Sequence, residues 1–218
     1  MRLFVGIPVA PAVAGELAAT CESLARRATS QQVPLRWLAP ATYHVTLKYL
    51  GWTRPEVVPA VHEAIVRATA GHQPFRFRAA RLGAFARPAK ATVVWAGVDD
   101  PGALGALAEA LDRELSALGF PREQRSFHPH VTLGRLREPA DVGGVLLPFS
   151  EQVFSETRVE FATLFESLTK PTGSEYRVVL REALGGPKKR PDRQSDPVEP
   201  TPFDASAGTE DGWDRHQG

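Results

Sequence analysis

Cysteine is all but missing from this sequence: Cys21 stands alone among 218 residues, which excludes an internal disulfide and any zinc site built from several thiolates. Lying in a stretch of helical periodicity, it reads as a buried, inert thiol. No apolar run approaches the ~20 residues that a membrane span requires. The opening Met1-Arg2-Leu3-Phe4-Val5-Gly6-Ile7-Pro8-Val9 is too brief and strand-like for a signal peptide. A cytoplasmic protein with no membrane partner is therefore expected. A large charge of one sign is lacking too, the formal net charge being +1. Residues 185–218 hold five basic and seven acidic groups, leaving 21 and 18 elsewhere, or +3. That balance attracts a polyanion mildly and is not a nucleic-acid-coating surface. With no coiled-coil pattern or interface stripe, a monomer is expected.

What remains is a chain 43% hydrophobic and 23% charged, ordinary for a globular protein. Leu3, Val5 and Ile7 alternate as a first strand, ended by Pro8 and Pro11. Val13, Leu17, Cys21 and Leu24 recur at helical spacing to about Ala28. A short strand is expected at Leu35–Leu38, another over Tyr43–Gly51, and a helix over Pro55–Ala70. Strands follow at Phe75–Phe85 and Thr92–Val98, then a helix from Pro101 through Leu118, stopped by Gly119. Residues 138–153 read as a loop with a Gly-Gly break. Arg158–Thr169 and Glu175–Ala183 read as final strands joined by a turn at Pro171-Thr172-Gly173-Ser174. Beyond Gly185 the composition predicts a disordered tail, in which Lys188-Lys189-Arg190 is a solvated cluster. The order implies an α+β fold with helices on the outer faces of antiparallel sheet.

One pattern occurs twice. His44-Val45-Thr46-Leu47 and His130-Val131-Thr132-Leu133 lie 86 residues apart. Side chains alternate along a strand, so in each copy His and Thr look one way and Val and Leu the other. If the strands lie side by side, two imidazoles and two hydroxyls converge. Histidine gives or takes a proton near neutral pH. Two of them flanking a phosphorus permit in-line displacement without a metal or cofactor, one activating water and one protonating the departing oxygen. The threonine hydroxyls and Arg135 suit the phosphate oxygens. One copy alone reads as a structural strand histidine; the repeat reverses that. A metal pair at His128 and His130 is the competing reading, and it lacks carboxylate or cysteine ligands nearby. His62 and His72 read as surface residues, His216 lies in the tail, and Trp37 and Trp95 read as core.

These motifs, with Arg36-Trp37 ahead of the first histidine, the Leu50-Gly51 ending, and Phe127-x-Pro129-His130-Val131-Thr132-Leu133-Gly134-Arg135, resemble the two-histidine phosphoesterase superfamily. The nearest group within it is the RNA 2′,3′-cyclic phosphodiesterases, also called the LigT or 2′-5′ RNA ligase family. The resemblance spans residues 1–184. It departs at Ala41-Thr42, where relatives often carry Glu-Asn or a similar polar pair. It implies a bilobal fold over 1–184 with pseudo-twofold symmetry and a central cleft, each lobe giving one motif strand; the tail over 185–218 has no counterpart in it. It also implies that His44 donates a proton to the leaving 3′ oxygen, that His130 accepts one from water, and that Thr46, Thr132 and Arg135 hold the phosphate.

The expected activity is thus opening of a 2′,3′-cyclic phosphate, on an RNA end or a small cyclic nucleotide, to a 2′-phosphate. The alternatives are the reverse reaction, joining a cyclic phosphate to a 5′-hydroxyl through a 2′-5′ linkage, and a binding module that holds such ends without turnover.

Overall fold

Apolar residues alternating at Leu3, Val5 and Ile7 do make the first strand, β1 (Arg2–Pro8). The computed structural model describes residues 1–85, 87–100, 102–170 and 173–186. Helix α1 (Pro11–Ser30) starts with Pro11 in its first turn and buries Val13, Leu17, Cys21, Leu24 and Ala28 along one stripe. Then follow β2 (Leu35–Trp37), a 3₁₀ turn at Pro40–Thr42, β3 (His44–Trp52), α2 (Val58–Ala70), β4 (Phe75–Phe85), β5 (Ala91–Asp99) and α3 (Ala103–Ser116). The amides of Gly102, Ala103 and Leu104 donate to the Asp100 carboxylate, which offsets the donors a helix start leaves unpaired. The chain continues through β6 (His130–Ala140), α4 (Gly143–Leu146), β7 (Val153–Val159), β8 (Phe161–Lys170) and β9 (Gly173–Ala183).

Two expectations are corrected here. Residues 138–153 are not a loop throughout: β6 runs on to Ala140, and Val145 and Leu146 turn into the core from the short α4. The single strand expected over 158–169 is two, because β7 ends at Val159 and β8 begins at Phe161. The tail beyond Gly186, and Pro171-Thr172 of the expected turn, lie outside the described residues. Leu184 and Gly185 still donate backbone hydrogen bonds to Glu160 and Thr69. Among the described residues no helix is long and apolar enough to cross a membrane.

The described strands form one antiparallel sheet in the order β7-β4-β5-β6-β3-β1-β8-β9, with β2 added beside β6. The two expected lobes are the two halves of this sheet, and the two motif strands, β6 and β3, meet at its centre. Val45 and Val131 face each other there in antiparallel register and are fully buried. The helices cover the face of the two valines: Cys21 of α1 meets Tyr43, and Asp112 of α3 meets Lys48 of β3. The opposite face bears the histidines.

Each motif strand is interrupted at the same place. Along β1–β3, Gly6 pairs with Thr46 and Val5 with Lys48, which leaves Leu47 as an extra residue. Along β5–β6, Trp95 pairs with Thr132 and Val94 with Gly134, which leaves Leu133 extra. A bulge shifts the alternation by one. Strict alternation would send Lys48 to the histidine face and Arg135 to the core. With the bulges, Lys48 is buried and Tyr49 and Arg135 come out on the histidine side, exposed.

Buried Lys48 is not left alone. Its ammonium donates to Asp112 Oδ1 and to the Pro121 carbonyl at 2.6 Å. Asp112 also accepts from Arg122 Nε at 3.0 Å and from the Glu123 amide at 3.1 Å. Burial alone would raise the Asp112 carboxyl; the hydrogen bonds from Lys48, Glu123 and Arg122 outweigh it and hold the group below its ordinary value. The cluster clamps the segment that leads from α3 to the second motif.

Candidate active site

An antiparallel bridge at Val45 and Val131 sets His44 level with Thr132 and Thr46 level with His130, so each imidazole faces the other copy's threonine. The two rings are held alike. His44 Nδ1 lies 2.7 Å from the Thr42 carbonyl, and His130 Nδ1 lies 2.8 Å from the His128 carbonyl. A carbonyl only accepts, so each Nδ1 carries the proton and donates. In the neutral ring Nε2 is then the bare nitrogen, pointed away from the backbone. His44 Nε2 sits 3.1 Å from Thr46 Oγ1, where it accepts the hydroxyl proton.

Behind each imidazole stands aromatic surface. Phe4 lies 4.8 Å from the His44 ring, Tyr176 5.0 Å away edge-on, and Phe165 6.1 Å away. Phe85 meets His130 edge-on at 4.9 Å, and Trp95 lies at 6.5 Å. Two glycines make room. A Cβ at Gly6 would lie 2.8 Å from the Val45 carbonyl and 3.3 Å from the His44 ring, and one at Gly83 would lie 2.3 Å from the Trp95 ring.

These walls set the proton affinities. Burial pushes His44 down to about 4; the Thr42 carbonyl opposes this, and the charges of His130 and Arg135 add to it. His130 is lowered as well, by burial first and then by Arg135 and His128. One guanidinium thus bears on both rings. Both imidazoles are neutral in the empty site at neutral pH. A negative charge brought against the pair would favour protonation of one of them.

The structure brings His44, Thr46, His130, Thr132 and Arg135 to one face of two adjacent strands. His128 contributes its carbonyl, and its side chain is exposed. Among the described residues no group of three or more metal-ligating side chains occurs. Trp95, expected in the core, stands half-buried in the wall beside His130, with Nε1 buried and unpartnered among the described residues. Sequence reasoning missed Phe4, Phe85, Phe165 and Tyr176. The one signal was Phe4, an aromatic on the face opposite Leu3, Val5 and Ile7. Thr42 serves through its carbonyl, so the departure from the family's polar pair at 41–42 leaves that hold on His44 intact.

The family model described as the 2'-5' RNA ligase superfamily matches residues 9–168. An Archaeoglobus fulgidus protein named RNA 2′,3′-cyclic phosphodiesterase is 30% identical over 178 residues, 81% of this chain and 97% of its own. A solved structure from Thermus thermophilus is 26% identical with a TM-score of 0.67, covering 85% of this chain and 99% of that one. Escherichia coli LigT, complexed with 3′-AMP, is 25% identical with a TM-score of 0.63, covering 84% and 97%. Sequence and fold alike are those of the two-histidine phosphoesterases. Within that class the chain belongs to the 2'-5' RNA ligase superfamily.

Proposed function

We propose that this protein opens 2′,3′-cyclic phosphate ends of RNA to 2′-phosphates by metal-free acid–base catalysis. The observation that carries the reading is the matched pair: two imidazoles on adjacent strands, each fixed by a carbonyl two residues earlier and each facing the other copy's threonine. His130 Nε2 takes a proton from water as its oxygen attacks phosphorus. His44, protonated once the anion is bound, gives its Nε2 proton to the 3′ oxygen as that bond breaks. Thr46, Thr132 and Arg135 stabilise the charge on the non-bridging oxygens. The names borne by relatives at 30% identity support the same substrate.

Phosphorus NMR of a short RNA with a cyclic terminus, in the presence of chelator, tests the reading. The 2′-phosphate resonance alone is expected; a 3′-phosphate, or turnover only when the chelator is withheld, overturns it.

The pH profile supplies a second check. Both rings sit below their ordinary 6.5 in the empty enzyme, so kcat/KM is expected to fall with rising pH across neutrality, as the protonated His44 form becomes scarcer. Arg135→Ala removes a positive charge that depresses both rings, so the descending limb moves to higher pH. Loss of a charged hydrogen bond to phosphate, about 1.5–3 kcal/mol, lowers kcat/KM roughly ten- to hundredfold. A limb that stays put or moves down would rule out this electrostatic account.

A further inference from the structure

Past Thr46 the histidine face of β3 continues into a surface with no part in the chemistry above. The Leu47 bulge turns Tyr49 onto it, 54% exposed, and a second register shift at Leu50 brings Trp52 onto it at 84%, the most exposed of the large apolar residues among those described. Arg2, the cross-strand partner of Trp52, donates from Nε to Tyr49 Oη at 2.7 Å, and its guanidinium carbon lies 5.7 Å from the Tyr49 ring centroid. Arg2 therefore props one aromatic in place and adds positive charge beside another that is left bare. The side chains are contiguous, which sets them apart from the isolated exposed apolar residues common on any surface.

Position indicates what such a surface takes. Thr46 is level with His130, and Trp52 lies further along by the span from Gly6 to Arg2 on the paired β1, about 13 Å at ~3.3 Å per residue. A mononucleotide at the histidines leaves Trp52 untouched. At the other end of β3, β9 packs against the 3₁₀ turn at Pro40–Thr42, next to His44. A polymer leaving the histidines along β3 meets the exposed Tyr49 and then Trp52.

We propose that Trp52, Tyr49 and Arg2 form a landing for the single-stranded body of the RNA upstream of the reacting end, with an unpaired base stacked on Trp52 and a backbone phosphate near Arg2. The proposal rests on the phosphodiesterase reading for the identity of the polymer. A flat aromatic face accepts any base and a guanidinium any phosphate, so the landing selects for chain length and not for sequence.

The test compares RNAs ending in a cyclic phosphate, from mononucleotide to hexanucleotide. Wild-type kcat/KM is expected to climb with length. Trp52→Ala is expected to cut the hexanucleotide-to-mononucleotide ratio about five- to hundredfold, the range that base–aromatic stacking spans. Arg2→Ala is expected to lower the slope of log affinity against log salt for the hexanucleotide by about 0.7. No dependence on length, or an equal loss on both substrates in Trp52→Ala, overturns the proposal. So does a Trp52→Ala effect confined to the sedimentation coefficient, which would make the surface a contact with a second copy. If the wild type turns over none of the substrates, the phosphodiesterase reading has failed. Fluorescence anisotropy of a labelled hexanucleotide with a plain 3′-hydroxyl then still reads the landing: binding weakened by Trp52→Ala upholds it, and unchanged binding ends it.

Discussion

Alanine at either His44 or His130 is expected to lower kcat on a 2′,3′-cyclic phosphate by about 10²–10⁴-fold, the usual contribution of one general acid or base. The double variant should fall little below the worse single one, because two groups acting on one transition state do not contribute additively. Unchanged far-UV circular dichroism would exclude a folding failure. Substantial turnover by His130→Ala would sink the mechanism. The roles separate with a 4-nitrophenyl phosphodiester, whose leaving phenolate needs no proton. His44→Ala should recover most of its activity on it, and His130→Ala should not. Burial depresses His44 to about 4, and His130 is lowered too; recovery by His130→Ala instead would show that the assignment of acid and base is reversed. The same electrostatics disfavour the charged form of both rings, and an anion bound between them would shift that balance.

The second large effect concerns stability. Asp112→Ala strands the buried Lys48 ammonium, and breaking a buried pair by removing one partner costs about 3–5 kcal/mol. For a chain of this size, Tm should fall on the order of 10 °C. Hydrogen exchange should quicken first at Glu123, whose amide donates to the lost carboxylate. Replacing both partners with apolar residues, Lys48→Met with Asp112→Leu, should restore much of the loss. In the native protein the folded-state pKa of Asp112 lies below its ordinary value, which is near 3.9 unfolded. Its contribution is therefore complete above that value and disappears as pH falls through the folded one. A shift in Tm under about 2 °C for Asp112→Ala would mean that the cluster contributes little and that the approach to His130 is held by other contacts.

Much of the frame was legible because helix and strand periods are local properties. Val13, Leu17, Cys21 and Leu24, or Leu3, Val5 and Ile7, declare their faces without reference to any other segment. The doubled His-x-Thr-Leu was legible for the same reason, since one strand face needs only four residues to be defined. The bulges were not. An extra residue at Leu47 or Leu133 exists only relative to a partner strand, and nothing in Leu-Lys or Leu-Gly announces it, yet it decides that Lys48 goes inward and Arg135 outward. The aromatic walls escaped for a related reason: Phe4, Phe85, Phe165 and Tyr176 come from four strands spread along the chain, and register alone assembles them. The break between β7 and β8 falls at Glu160, which carries no proline or glycine signal. Residues 143–149 were misread because Gly143-Gly144 suggested a turn, while the structure winds them into a short helix whose Val145 and Leu146 fill the core.

The order of strands across the sheet has a consequence for how the protein can be made. The half that bears His44 is begun by β1 and β3 and finished only by β8 and β9, after the other half has been translated. Phe165 and Tyr176, which wall in His44, are among the last of the described residues to leave the ribosome. A nascent chain that stops after β7 would carry both histidines but only one completed environment, so the burial that depresses His44 would be incomplete. Cutting the gene between β3 and β4 would not yield two working halves either, because the first fragment lacks its own outer strands. The two copies of the motif look like separable modules in the sequence, but as a physical object they mature together.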